Sequence, residues 1–121
     1  MSTAYAIINK QQVRNLALMV LERYGYKGLS AGHGQEALSM LASYENPIHL
    51  LLTDVVMPDM NGKELFDQIA ESYPNMRVIY MSGYSEDIIA HHGVIDEGVS
   101  FIEKPFHIKA LAGKVRDVLD N

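Results

Sequence analysis

Cysteine is absent from this 121-residue chain, which rules out both a disulfide framework and a thiol-based metal site. That absence fits a reducing, cytoplasmic setting. No apolar run approaches the roughly 20 residues needed to span a bilayer. The opening stretch MSTAYAIINKQQ has neither the basic segment nor the long apolar core of a signal peptide, so no membrane partner is expected. Basic residues are in deficit, ten Lys and Arg against fifteen Asp and Glu, for a net charge of −5. That balance argues against direct nucleic-acid binding and favours a basic partner or a neutral docking face. Linkers, repeats and low-complexity segments are also missing. The five histidines (His33, His49, His91, His92 and His107) have no catalytic or metal-ligating spacing, and the seven methionines read as core filler.

The chain is 48% hydrophobic and 21% charged, ordinary values for a soluble globular domain. Its length suits one domain with one core, residues 1–121. Five short apolar runs read as strands: AYAII (4–8), a weak GLSA (28–31), HLLLT (49–53), RVIYM (77–81) and VSFI (99–102). Their apolarity is continuous instead of alternating, as in a parallel sheet covered on both faces. Between the runs lie helical stripes: Val13, Leu16, Ala17, Val20, Leu21 and Tyr24; Ala37, Leu38, Leu41 and Tyr44; Leu65, Phe66, Ile69, Ala70 and Tyr73; and Ile108, Leu111, Ala112, Val115, Val118 and Leu119. A fifth, weaker pattern around Glu86–His92, fourth in chain order, predicts a short or mobile helix. Strand and helix alternating five times predict an α/β fold, (βα)5. It is a doubly wound, five-stranded parallel sheet in a three-layer α/β/α sandwich.

In such sheets ligands bind at the carboxyl ends of the strands. The stretch LLLTDVVMPDMNG places Asp54 at the end of the third strand, YMSG places Ser82 at the end of the fourth, and EKPF places Lys104 at the end of the fifth. A carboxylate, a hydroxyl and an ammonium thus converge on one edge, a set suited to phosphoryl chemistry. Each residue alone has a blander reading: a turn or cap aspartate, a loop serine, a solvated lysine and, for Phe101, a core aromatic.

Taken in order and at their spacing, these motifs resemble those of the response-regulator receiver (CheY-like) domains, over about residues 4–119. The resemblance implies a flavodoxin-like receiver fold and a role in two-component or phosphorelay signalling. Asp54 is then the acceptor of a phosphoryl group from a histidine kinase or a histidine phosphotransfer domain. Ser82 and Lys104 assist it, and Ser82 and Phe101 form the switch. The switch acts on a face built from the fourth helix, fifth strand and fifth helix, which docks an output domain, a partner protein or a second copy in a homodimer. A receiver is no enzyme beyond its own phosphotransfer and dephosphorylation. Residues 82–120 further resemble receivers at the C-terminus of hybrid sensor histidine kinases.

One departure from the family pattern stands out. Receivers end their first strand with two acidic residues that help hold Mg²⁺; here the ungapped alignment puts Ile8 and Asn9 at those positions, a shift by one puts Asn9 and Lys10 there, and neither register has a carboxylate. The first acidic residue of the chain is Glu22. The resemblance leaves Asp54, the Asn9 side chain and the Val56 backbone carbonyl as metal ligands, with weak or absent Mg²⁺ binding expected. A unit charge pair at about 4 Å contributes about 4 kcal/mol at an effective dielectric of about 20, so two missing carboxylates matter. Ile8 is expected at the mouth of the site. The alternative function is a degenerate receiver that binds proteins independently of phosphorylation. A third, phosphohydrolysis with Asp54 as nucleophile, needs a second acid, for which Asp59 is the candidate.

Overall fold

The computed structural model describes residues 2–82, 100–104 and 106–120. Its elements are β1 (Thr3–Ile7), α1 (Gln11–Arg23), β2 (Lys27–Ala31), α2 (Gly34–Leu41), β3 (Leu50–Asp54), α3 (Gly62–Ala70), β4 (Arg77–Ser82), β5 (Ser100–Glu103) and α4 (Ile108–Asp120). The helix expected around Glu86–His92, and Val99 at the head of the last expected strand, lie outside the described residues. The helix α4 is therefore the fifth of the sequence reading. All four strand pairings are parallel, in the order β2-β1-β3-β4-β5. This is the flavodoxin-like receiver arrangement. Among the described residues no helix is long and apolar enough to cross a membrane.

Pleating sorts the apolar runs into two cores. Ala4, Ala6, Ile8, Leu50, Leu52, Ile79 and Met81 pack with Ala17, Val20 and Leu21 of α1 and Leu111, Ala112 and Val115 of α4. On the opposite face Tyr5, Ile7, Ala31 and Leu51 meet Ala37 of α2 and Leu65 and Ile69 of α3. β3 is buried along its whole length, which explains why its sequence shows no alternation. Fully burying a side chain such as Leu50, Leu51 or Leu52 contributes about 1.5–3 kcal/mol.

Local chemistry sets the helix ends. α1 stops where Gly25 takes a φ of 91°; the Tyr26 N–H then donates to the Leu21 carbonyl and the Gly25 N–H to that of Glu22. α3 starts with a capping box: Asn61 accepts from the Glu64 N–H while the Glu64 side chain accepts from the Asn61 N–H.

The turn that presents Asp54 is built backward from that cap. The Val55 N–H donates to the Met81 carbonyl at 3.0 Å, extending the β3–β4 ladder by one residue, and the Gly62 N–H donates to the Val55 carbonyl at 2.8 Å. This folds the start of α3 directly against the Asp54 backbone. A Cβ at position 62 would collide with the Asp54 carbonyl oxygen and approach the Thr53 methyl at 3.2 Å. Gly113, exposed within α4, has nothing within 4 Å of a Cβ. Two alanine substitutions should therefore act in opposite directions. Gly62→Ala should destabilise the domain by about 1–3 kcal/mol, as overpacking does. Gly113→Ala should stabilise it by about 0.5–1 kcal/mol through helix propensity. Urea midpoints of the three proteins check this, and equal effects at the two positions would contradict the packing described.

Candidate functional site

Asp54 ends β3 with 4% of its surface exposed. Its neighbours come from the strands on either side. Ile7 pairs with Thr53, so the turn after β1 runs beside Asp54, and the Asn9 N–H donates to Oδ2 at 2.9 Å. On the other side Asp54 pairs with Met81 and Ser82 with Glu103, which brings Ser82 and Lys104 to the same edge. Lys104 Nζ donates to Asp54 Oδ1 at 2.9 Å. The Lys104 backbone N–H donates to the Ser82 carbonyl at 2.7 Å, which steers the lysine after β5 has ended. Only 22% of the Lys104 side chain and 5% of the Asp54 side chain are exposed. An ion pair so withdrawn from water is a stronger constraint than a surface pair, and losing one partner leaves a buried charge.

Ser82 is buried at the end of β4. Phe101 is half-buried beside Tyr80, its partner in the sheet register, and packs on the cluster of Val55 and Tyr80. The aromatic is thus linked to the residue following Asp54. Val56 lies in the loop beyond and is half-exposed.

The β1–α1 turn differs from expectation. Ile8 is fully buried in the α1–α4 core, not at the mouth of the site, because it continues the alternation of Ala4 and Ala6 toward that face. Asn9 meets Asp54 through its backbone N–H, while its side-chain Nδ2 donates to the Gly32 carbonyl at 3.4 Å. Among the described residues no three His, Cys, Asp or Glu side chains gather where a cation could sit. Both Asp54 oxygens already accept hydrogen bonds, one of them from a cation. Mg²⁺ uses hard oxygen ligands, usually one or two free carboxylates with waters and phosphate oxygens. The Ile8–Asn9 pair brings this site no carboxylate to add to that of Asp54.

Asp59, five residues past Asp54, points elsewhere. It accepts from the Gln35 N–H at 2.7 Å and the Gly34 N–H at 3.2 Å at the start of α2, and lies 3.2 Å from His33 Nδ1. Burial would raise its pKa, but those N–H groups and His33 hold it below the usual carboxylate range. Asp59 therefore fastens the acceptor loop to α2 and is not free to act as the second acid that hydrolysis requires.

Three residues with no motif of their own also find roles. His33 Nδ1, at the start of α2, lies 3.3 Å from the Glu36 N and 3.2 Å from Asp59 Oδ2; it accepts from the Glu36 N–H when unprotonated and donates to Asp59 when protonated, one role excluding the other. His49 Nδ1 accepts from the Thr3 N–H at 2.9 Å. Arg14 of α1 donates from Nη1 to the Ile8 carbonyl at 2.8 Å and to the Asn9 carbonyl at 3.4 Å.

Comparison with known proteins agrees with this geometry. Residues 7–116 match the family model of the response regulator receiver domain. The chain is 31% identical over 119 residues to the sensor kinase CckA of Brucella abortus (strain 2308), covering 98% of this chain but 13% of that protein. It is 29% identical over 107 residues to the response regulator receiver protein CpdR of the same strain, covering 88% of each. The solved receiver domain of the hybrid histidine kinase CckA superposes with a TM-score of 0.79 at 29% identity, covering 98% of this chain and 99% of that one. A receiver domain protein from Clostridium thermocellum shares the fold with a TM-score of 0.84 at 22% identity, covering 99% of this chain and 95% of that one. The chain thus belongs to the response regulator receiver domain family.

Proposed function

We propose that this receiver domain of two-component signalling accepts a phosphoryl group on Asp54 from a phosphohistidine and thereby switches a protein-docking face. The observation that carries the reading is the Asp54 carboxylate, buried at a strand end with Lys104 Nζ on Oδ1 and the Asn9 N–H on Oδ2. In the transfer, an Asp54 oxygen attacks phosphorus, and the new P–O bond forms as the P–N bond to the donor imidazole breaks. Lys104 and the backbone N–H groups of this edge offset the charge that develops on the oxygens. Ser82 at the end of β4 and Phe101 within β5 relay the change to the face that includes β5 and α4.

The donor is a histidine kinase or a histidine phosphotransfer domain in the cytoplasm, and the recipient of the switch is an output domain or partner protein. Similarity to the sensor kinase CckA supports a kinase-linked setting. Residues 1–121 act as one receiver unit, without catalysis on any other substrate. The alternative is a docking module that works without phosphorylation. The Ile8–Asn9 pair and the donor set around Asp54 favour it.

Acetyl phosphate or beryllofluoride with Mg²⁺ separates these readings. In the wild type, Ser82, Lys104 and Phe101 should shift in NMR spectra, and Asp54→Asn should abolish the response. A folded wild-type protein that stays silent at millimolar donor and tens of millimolar Mg²⁺ would leave the docking module as the better account.

The metal half gives a second test. Asn9 is exposed, so Asn9→Asp adds a carboxylate beside Asp54 without disturbing the core. We expect Asn9→Asp to bind Mg²⁺ roughly tenfold more tightly than the wild type, about 1.4 kcal/mol. Without metal it should be less stable, because neighbouring carboxylates repel, and added Mg²⁺ should recover the loss by mass action. Ile8→Asp places a carboxylate in the core and should be destabilised by several kcal/mol with or without Mg²⁺. Mg²⁺ titrations followed by thermal midpoints decide the matter; a wild type that binds as tightly as Asn9→Asp would refute the account of the missing acids.

A further inference from the structure

We propose that Arg14 is a positioning residue for Asp54, acting through the Ile8–Asn9 peptide that lies between them. The carbonyl of this peptide accepts from Arg14 Nη1 at 2.8 Å, and its N–H donates to Asp54 Oδ2 at 2.9 Å. In a trans peptide the two groups point in opposite directions, so guanidinium, peptide and carboxylate form one relay. A cation at the carbonyl oxygen draws electron density from the amide and makes its N–H a stronger donor, because hydrogen bonds in a chain polarise one another. Arg14 also reaches the Asn9 carbonyl at 3.4 Å and lies over Gly32, where a Cβ would meet its Nη1 at 3.1 Å. Its partly buried position holds it across the turn.

The charge at this edge explains why such a relay matters. Lys104 contacts Oδ1 directly, while Oδ2 has a neutral amide as its partner. The first acidic residue follows at position 22, so the β1–α1 turn brings no anion to oppose Arg14. On the neighbouring turn Glu36, whose Oε1 borders Gly32 as the Arg14 guanidinium does, accepts from the Gly32 N–H. Two cations thus act on one carboxylate, one by contact and one through a peptide, at an edge to which the β1–α1 turn adds no second carboxylate. The consequence for phosphoryl transfer rests on the function proposed above; the polarised peptide does not.

The test uses Arg14→Met, Arg14→Gln and Arg14→Lys in the whole chain. The Asn9 amide proton should move upfield in Arg14→Met, the shift of a weakened hydrogen bond. Modification of Asp54 by acetyl phosphate should slow about tenfold, the effect of weakening a hydrogen bond to a charged group. Arg14→Lys, which keeps the charge, should recover most of both effects. Arg14→Gln can still donate to the Ile8 carbonyl but carries no charge, so it should behave like Arg14→Met. An Asn9 amide unmoved in Arg14→Met, or an Arg14→Gln protein matching the wild type, would reduce Arg14 to a staple of the turn and overturn the proposal. Slower modification with an unmoved Asn9 amide overturns it equally. A wild type that is never modified defeats the phosphoryl-acceptor reading alone, and the amide shifts still decide this one. If Arg14→Met does not fold, the contrast between Arg14→Lys and Arg14→Gln carries the same decision.

Discussion

An ionised carboxylate at the end of a fully buried strand has lost most of its water, and without compensation that costs several kcal/mol. The fold supplies the compensation from far along the chain. The Asn9 N–H is 45 residues from Asp54 and Lys104 is 50 residues away. Neither can reach the carboxylate until β1, β3, β4 and β5 stand side by side in register. Assembly of the sheet and assembly of the site are therefore one event, and the helix layers serve the site by fixing the sheet edge. The same dependence makes Lys104 more than a surface charge: without it Asp54 would be a buried anion with one neutral donor.

Much of this was legible in the sequence because it depends on short-range pattern. Continuous apolar runs such as LLLT identified strands covered on both sides, and the stripes at helical spacing identified α1 to α4 close to their observed bounds. Asp54, Ser82 and Lys104 could be assigned to one edge because each follows a strand of a parallel sheet, whose carboxyl ends face the same way. What escaped depends on partners distant in sequence. The roles of His49 and Asp59 arise from contacts with residues 24 to 46 positions away. Arg14 had no motif because its ligands are main-chain carbonyls, which leave no trace in residue type.

Ile8 is a different kind of miss. Its direction could have been counted from Ala4 and Ala6, since side chains on one face of a strand recur every second residue. The comparison with receiver acidic pairs drew attention to chemistry at that position and away from its pleat. The turn then divides the labour between two adjacent residues: Ile8 supplies core volume with its side chain and a carbonyl to Arg14, and Asn9 supplies an N–H to Asp54.

That division limits where an acidic pair could be placed in this turn. Once position 8 has become part of the interior between α1 and α4, a carboxylate there would meet a packed environment with no room for a charge. Neighbours such as Ala17 and Leu111, which border the same interior, would have to change first. Position 8 is thereby committed to packing, and a carboxylate for this turn is left to position 9, which is exposed.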